Sequence, residues 1–271
     1  MTDAPRLAEL VETWREAVAE FVALARDLPE DQWHRATDLD GWSVKDNVAH
    51  TAHLEGILAG APEETVDIGS PPHVKGMLGA YTEQGVVARR DRDMAALAEE
   101  IERAAAFRYA ELQASPPTDA KGAPPRTPAG IPWDNNTLLG NRPLDVWMHE
   151  QDIRRAIGRP GGYDGAAARF AVTKLGGALP MVLGKRVAPP IGTSVRIDLA
   201  DADLSWAVAI GEDGRAGAVD GLDAATVRIT LSAEDFIVLA GGRRPLEATT
   251  PTYDGDATLG RAVLANFSVT P

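Results

Sequence analysis

The chain contains no cysteine. That excludes disulfides, a thiolate nucleophile and every cysteine-ligated zinc or iron–sulfur site. A bound metal must then be held by histidine and carboxylate, and a thiol taking part in the chemistry must arrive with a cofactor. Basic residues are also in deficit, 27 Lys plus Arg against 40 Asp plus Glu, for a formal charge of -13. This balance disfavours nucleic-acid phosphates and anionic lipid surfaces and leaves a small molecule as the expected partner. No window approaches about 18 uninterrupted apolar residues, and the opening residues lack a cationic start followed by an apolar block. A soluble, cytoplasmic protein is expected. What remains is ordinary globular composition, 44% hydrophobic and 25% charged over 271 residues, enough for two modest domains.

The apolar spacing falls into two regimes. Leu7, Leu10, Trp14, Val18, Phe21 and Val22 recur at three- and four-residue intervals, predicting an amphipathic helix that Pro29 ends. Ser43 is an N-cap for a second helix carrying Val48, Leu54 and Ile57. Helical pattern resumes from Met77 to about Gln113, bent near the run from Arg89 to Asp93, which reads as a solvated face. Residues 115–134 hold Pro116, Pro117, Pro124, Pro125, Pro128 and Pro132, too many for a helix interior. A further helix is expected from about Pro143 to Ile157, stopped by Gly158 and Pro160. Beyond Gly165 a helical segment over 166–183 precedes three segments rich in β-branched residues, 194–199, 204–210 and 225–231, which read as strands. Short helices follow near 232–239 and 256–267. The expected fold class is α+β, with a helical bundle over 1–160 and a smaller α+β domain over 161–271.

The helix ending at Ile157 contains Asp145-Val-Trp-Met-His149-Glu-Gln-Asp152. At 100° per residue His149 lies about 40° from Asp145, and Asp152 about 20° to the other side of Asp145, so the three form one polar row. A carboxylate and an imidazole four apart can share one divalent ion. A third ligand from the helix after Ser43 completes such a site, with His50 the first choice and His53, one turn on, its rival. Two imidazoles and one carboxylate suit zinc or another first-row divalent ion and leave coordination positions open. The plainer reading makes these histidines hydrogen-bonded border residues and Asp152 a helix-surface carboxylate, with an imidazole-orienting role for Asp152 as the functional alternative. Glu150, Arg154 and Arg155 read as solvent-facing charges, and Trp42 and Trp147 as packing residues.

Two segments, Gly41-Trp-Ser-Val-Lys-Asp-Asn-Val-Ala-His50 and Arg142-Pro-Leu-Asp-Val-Trp-Met-His149-Glu-Gln-Asp-Ile-Arg-Arg155, closely resemble the signature segments of the mycothiol-dependent maleylpyruvate isomerase family. The stretches 225–243 and 253–267 resemble its sterol-carrier-like C-terminal domain. The resemblance implies a DinB-like four-helix bundle over 1–160 and a divalent metal, usually zinc, held by His50, Asp145 and His149. The family's carboxylate is often glutamate, one methylene longer than Asp145. The resemblance also implies mycothiol, the low-molecular-weight thiol of actinobacteria, as cofactor. A thiol deprotonated by the metal would add reversibly to an activated double bond, permitting cis–trans isomerisation, or displace a leaving group.

The leading expectation is therefore a metal-dependent isomerase or thiol S-transferase acting on a small electrophile. A non-catalytic metal- or ligand-binding protein of the same fold is the alternative, and a metal-dependent hydrolase ranks below both, since only Asp152 and His53 offer a general base. In the second domain Arg243 is the candidate partner for a carboxylate substrate or the thiol, against the plainer reading of an exposed turn charge.

Overall fold

The computed structural model describes residues 3–222 and 224–270. The first part is helical: α1 (Ala4–Arg26), α2 (Val44–Leu58), α3 (Gly76–Val87), α4 (Met94–Ala114) and α5 (Asn135–Ile157). Helix α1 packs on α4 and α5, and α2 packs on α3, α4 and α5. The chain divides into two compact units, Met1–Ala171 and Val172–Pro271, each taken by itself below.

Local chemistry explains where the bundle helices begin. Ser43 and Asp46 form a reciprocal capping box at the head of α2, Asp93 accepts from the Ala96 amide at α4, and Asp134 accepts from the Thr137 amide at 2.8 Å at α5. The last of these moves a boundary. Helix α5 starts well before Pro143, which lies in its interior rather than its first turn. The sequence reading gave too much weight to proline as a start signal. The Asp134 cap and the burial of Leu138, Leu139 and Pro143 itself outweigh the lost backbone hydrogen bond, a cost of about 3 kcal/mol in an exposed helix. At the other end Gly158 takes the left-handed conformation, φ 66°, and stops the helix as expected.

Helix α2 is not amphipathic. Nearly every residue from Val44 to Leu58 is buried, including Asn47, His50, Thr51, His53 and Glu55. A helix surrounded on all sides must pair its polar groups with other elements, because burying them unpaired is costly. The run from Arg89 to Asp93 is a solvated face over Arg90 to Asp93, as expected, with Arg89 the exception. Arg89 is buried at the α3–α4 turn, where it bonds Glu64 at 2.5 Å and Glu100 at 2.6 Å. The Pro-rich segment is tied down: Arg126 donates to the Leu58 carbonyl at the end of α2 at 2.7 Å and pairs with Glu111.

The second unit holds a five-stranded mixed sheet. Its strands are β1 (Ser194–Leu199), β2 (Ser205–Ile210), β3 (Ala216–Ala218), β4 (Val227–Leu231) and β5 (Thr252–Gly255), in the order β3-β2-β1-β4-β5. Among the described residues the β1–β4 pair is parallel and the other three pairs are antiparallel. Val195, Ile197, Leu199, Val208, Ile210, Val227, Ile229 and Leu231 bury one face, as period-2 alternation dictates. Arg196, Asp198 and Arg228 form an ion-pair cluster. Beyond the strands lie α8 (Ala233–Ala240) and α9 (Ala257–Ala265), capped by Ser232 and Asp256. Phe236 of α8 stacks on Trp206 of β2 and meets Phe267. Strands β3 and β5 escaped the sequence reading because they are short and poor in β-branched apolar residues.

Between these lie α6 (Ala166–Gly176), the single turn α7 (Leu179–Met181) and a π-helical turn over Val182–Val187, so the helix expected across 166–183 is broken near Gly177. The stretch Ala166–Val187 has the length and hydropathy of a membrane span, but half of its apolar window is buried inside the protein. At Gly176 a side chain would collide with the Trp206 indole, and glycine permits that close approach.

Candidate metal centre

His50 from α2 and Asp145 and His149 from α5 converge, with one ligand atom of each lying within 4.8 Å of the others. His50 Nε2 is 3.6 Å from Asp145 Oδ2, and His149 Nε2 is 3.8 Å from Asp145 Oδ1. These separations exceed a hydrogen bond but approach the spacing of about 3.4 Å between neighbouring ligands of a tetrahedral zinc ion. The imidazoles meet edge to face with centroids 4.6 Å apart, and the Trp42 indole lies 4.9 Å from His50 and 5.9 Å from His149. Trp42 is thus a wall of this group, beyond the packing role read from sequence. Its indole N–H donates to Glu83 at 2.8 Å, and Glu83 also takes His73 and Arg90.

The donor set fits a divalent ion. Both ring nitrogens of His50 are buried without a hydrogen-bond partner, as are those of His53, but at His50 a second imidazole and a carboxylate converge, and an ion held among them would give one His50 nitrogen a partner. Burial pushes the His50 imidazole down to about 4, with the adjacent Asp145 only partly opposing, so the neutral ring offers one nitrogen lone pair at neutral pH. Burial would raise the Asp145 carboxyl, but the Arg142 guanidinium and the two imidazoles hold it well below the usual carboxylate range. His149 is oriented from behind. Its Nδ1–H donates to Asn47 Oδ1 at 2.8 Å, and the Asn47 amide is fixed in turn by donating to the Ser43 carbonyl at 2.9 Å. That tautomer directs the Nε2 lone pair toward Asp145.

Asp152 is buried, not a surface carboxylate. It lies 3.5 Å from His149 Nδ1, on the side away from the ligand nitrogen, and pairs with Arg155, which also reaches Asp38 at 2.9 Å. Glu150 is buried and Arg155 half-buried, correcting their reading as solvent-facing charges, and Glu150 pairs with Arg154 at 2.6 Å. Trp147 packs away from the group and donates to the Gly162 carbonyl at 2.8 Å.

His53 does not join the triad. Sixty degrees or so around α2 from His50, it faces Glu64 at 3.3 Å and the Tyr81 ring at 5.1 Å, and Gly85 of α3 leaves room for its ring. Burial, then the charge of Arg89, lowers its imidazole pKa. Arg243 belongs to the second unit. There its guanidinium donates to the Gly241 carbonyl at 2.7 Å and contacts the Thr270 hydroxyl at 3.4 Å.

Sequence reasoning missed Asn47, Glu55, Arg142 and the site role of Trp42. Glu55 and Arg142 are buried and joined by two hydrogen bonds of 3.0 and 2.8 Å, and Arg142 reaches on to Asp145 Oδ2 at 2.9 Å. The available signal was polar residues on the same helices as the ligands, Asn47 three before His50 and Arg142 three before Asp145.

A helical bundle with a buried His–His–carboxylate group, preceding a mixed-sheet unit, defines the class. The sequence profile of the mycothiol maleylpyruvate isomerase N-terminal domain matches residues 14–154, more than half of the chain, and the protein belongs to that family. Two solved structures share the fold across 91% of this chain and 92% of their own. One is the mycothiol-dependent maleylpyruvate isomerase, at TM-score 0.56 and 15% identity. The other is a histidine-to-alanine mutant of the mycothiol-dependent maleylpyruvate isomerase, at TM-score 0.58 and 13% identity. No curated protein matches the chain by sequence.

Proposed function

We propose that the protein is a mycothiol-dependent metalloenzyme, an isomerase or thiol S-transferase for a small electrophilic compound, with His50, Asp145 and His149 as metal ligands. The observation that carries this reading is the convergence of His50, Asp145 and His149, one ligand atom of each lying within 4.8 Å of the others, with the His50 ring nitrogens unpartnered. A divalent ion held there, zinc by the chemistry of the donors, would supply the Lewis acidity that lowers the pKa of an incoming thiol. The chain's own residues do the rest. Asn47 fixes the tautomer of His149, Arg142 keeps Asp145 ionised, and Trp42 covers the imidazoles and excludes water from that side. Asp152 acts through Nδ1 of His149, as a positioning residue for that ring.

The absence of cysteine agrees with a thiol supplied from solution. On this reading residues 1–160 form a DinB-like metal-binding domain and 161–271 a sterol-carrier-like domain. Arg243 is the proposed partner for a carboxylate of substrate or cofactor, so Arg243→Gln should raise KM for an acidic substrate and leave metal content unchanged.

The test is to follow maleylpyruvate conversion, and separately the loss of free thiol with a panel of electrophiles, in purified protein with and without mycothiol and with and without metal. Conversion that needs both and leaves thiol unconsumed identifies an isomerase. Thiol loss that needs both identifies a transferase. Neither, with metal bound, overturns the enzymatic reading in favour of a binding protein, and hydrolysis without thiol points to metal-bound water chemistry.

A further inference from the structure

Asp145 is tied to the bundle interior in a way that simple metal ligation does not require. Arg142 has no exposed surface, and its guanidinium is gripped from both sides. Nε and Nη2 donate to Glu55 Oε1, and Nη1 donates to Asp145 Oδ2. Glu55, itself fully buried, is held again by the Trp14 indole at 3.1 Å and by Arg108 at 3.4 Å. Arg108 in turn lies over the Trp14 ring at 4.4 Å. Two carboxylates, Glu55 and Asp145, thus balance two guanidiniums, Arg108 and Arg142. The network is neutral only if Asp145 carries its charge, so that charge is already committed before any ion arrives.

Two consequences follow for coordination. Arg142 takes one lone pair of Oδ2, the oxygen nearer His50, and so fixes how the carboxylate presents Oδ2 to His50 and Oδ1 to His149. And because Arg142 offsets the carboxylate, two neutral imidazoles and this carboxylate leave most of the charge of a divalent ion uncompensated. We propose that Arg142 is the positioning residue of the centre: by fixing Oδ2 it holds the Asp145 carboxylate in one orientation between the two imidazoles and, by offsetting its charge, biases the open position toward an anionic ligand, such as a thiolate. This rests on the metal-site reading above and adds to it a reason why the centre takes a thiolate in preference to a neutral ligand.

The test uses the full chain loaded with cobalt(II), whose visible spectrum reports coordination number, titrated with azide as the anionic probe. Glu55→Gln with Arg142→Met removes one buried charge of each sign together, which spares the fold the penalty of a lone buried ion. In this double variant azide affinity should fall about tenfold, and the cobalt spectrum should change as the released carboxylate reorients. Arg142→Lys keeps the charge without the two-sided fork. It should recover much of the azide affinity while its cobalt spectrum stays altered. A cooperatively melting double variant with the azide affinity and spectrum of the wild type overturns the proposal and leaves Arg142 a purely structural residue. If the double variant does not fold, Arg142→Lys decides: a wild-type cobalt spectrum overturns the proposal. Failure of the wild type to bind cobalt at all overturns the metal-site reading instead.

Discussion

Two buried histidines one turn apart on α2 meet different elements, and the proposed ligand assignment rests on that difference. His50 meets α5, which brings Asp145 and a second imidazole, His149, to it. His53 meets Glu64 and, in place of a second imidazole, the Tyr81 ring; in both cases the facing carboxylate oxygen also holds a guanidinium, Arg142 on Asp145 Oδ2 and Arg89 on Glu64. Identity, burial and helix are the same in both cases. The facing element decides.

The largest way to break this contrast is to remove a ligand from α5. Asp145→Ala and His149→Ala should each lower metal affinity by at least about 100-fold, because three protein ligands are close to the minimum for a catalytic zinc. Thiol-dependent activity should vanish with the metal, while far-UV circular dichroism stays that of a helical bundle, since alanine is the best helix former. Retained metal, measured by chelator competition, would remove the residue concerned from the ligand set.

An intermediate effect is expected on the His53 side. Arg89→Met leaves Glu64 and Glu100 without their shared cation. It should cost about 2 kcal/mol of stability by denaturant melt, less than the roughly 3–5 kcal/mol for a fully buried pair because water reaches both carboxylates. Metal content should not change. A loss of metal here would mean that the two sides of α2 are coupled and that the contrast between the histidines is false.

The smallest effect is Trp42→Phe, which keeps an aromatic wall and removes the N–H donated to Glu83. Glu83 retains His73 and Arg90, so about 1 kcal/mol of stability should be lost by thermal melt, with metal still bound. The drop in indole fluorescence on adding cobalt should shrink in this variant. An undiminished drop would place the quenched indole elsewhere.

Much of this was legible before the coordinates. The α+β class followed from the change of period after Gly165, and β1 and the caps at Ser43 and Ser232 fell where turn chemistry placed them. The pair Asp145 and His149 was readable because i,i+4 spacing is a property of one helix. What joins them to His50 depends on which face of α2 meets α5, and α2, buried on every side, carries no apolar stripe to reveal it. The resemblance to a known family, not periodicity, separated His50 from His53. Arg142, Glu55 and Asn47 were missed for a related reason: a charged or amide residue on a helix reads as solvent-facing until the neighbouring helix is known to cover it.

The central claim is that the ion is held on the His50 side of α2. The most direct measurement is elemental analysis by mass spectrometry of protein purified without chelator, for the wild type, His50→Ala and His53→Ala, each checked by thermal melt. The account predicts about one zinc or similar divalent ion per chain in the wild type and in His53→Ala, and almost none in a folded His50→Ala. Metal retained by His50→Ala and lost by His53→Ala would contradict it and move the centre by one helical turn.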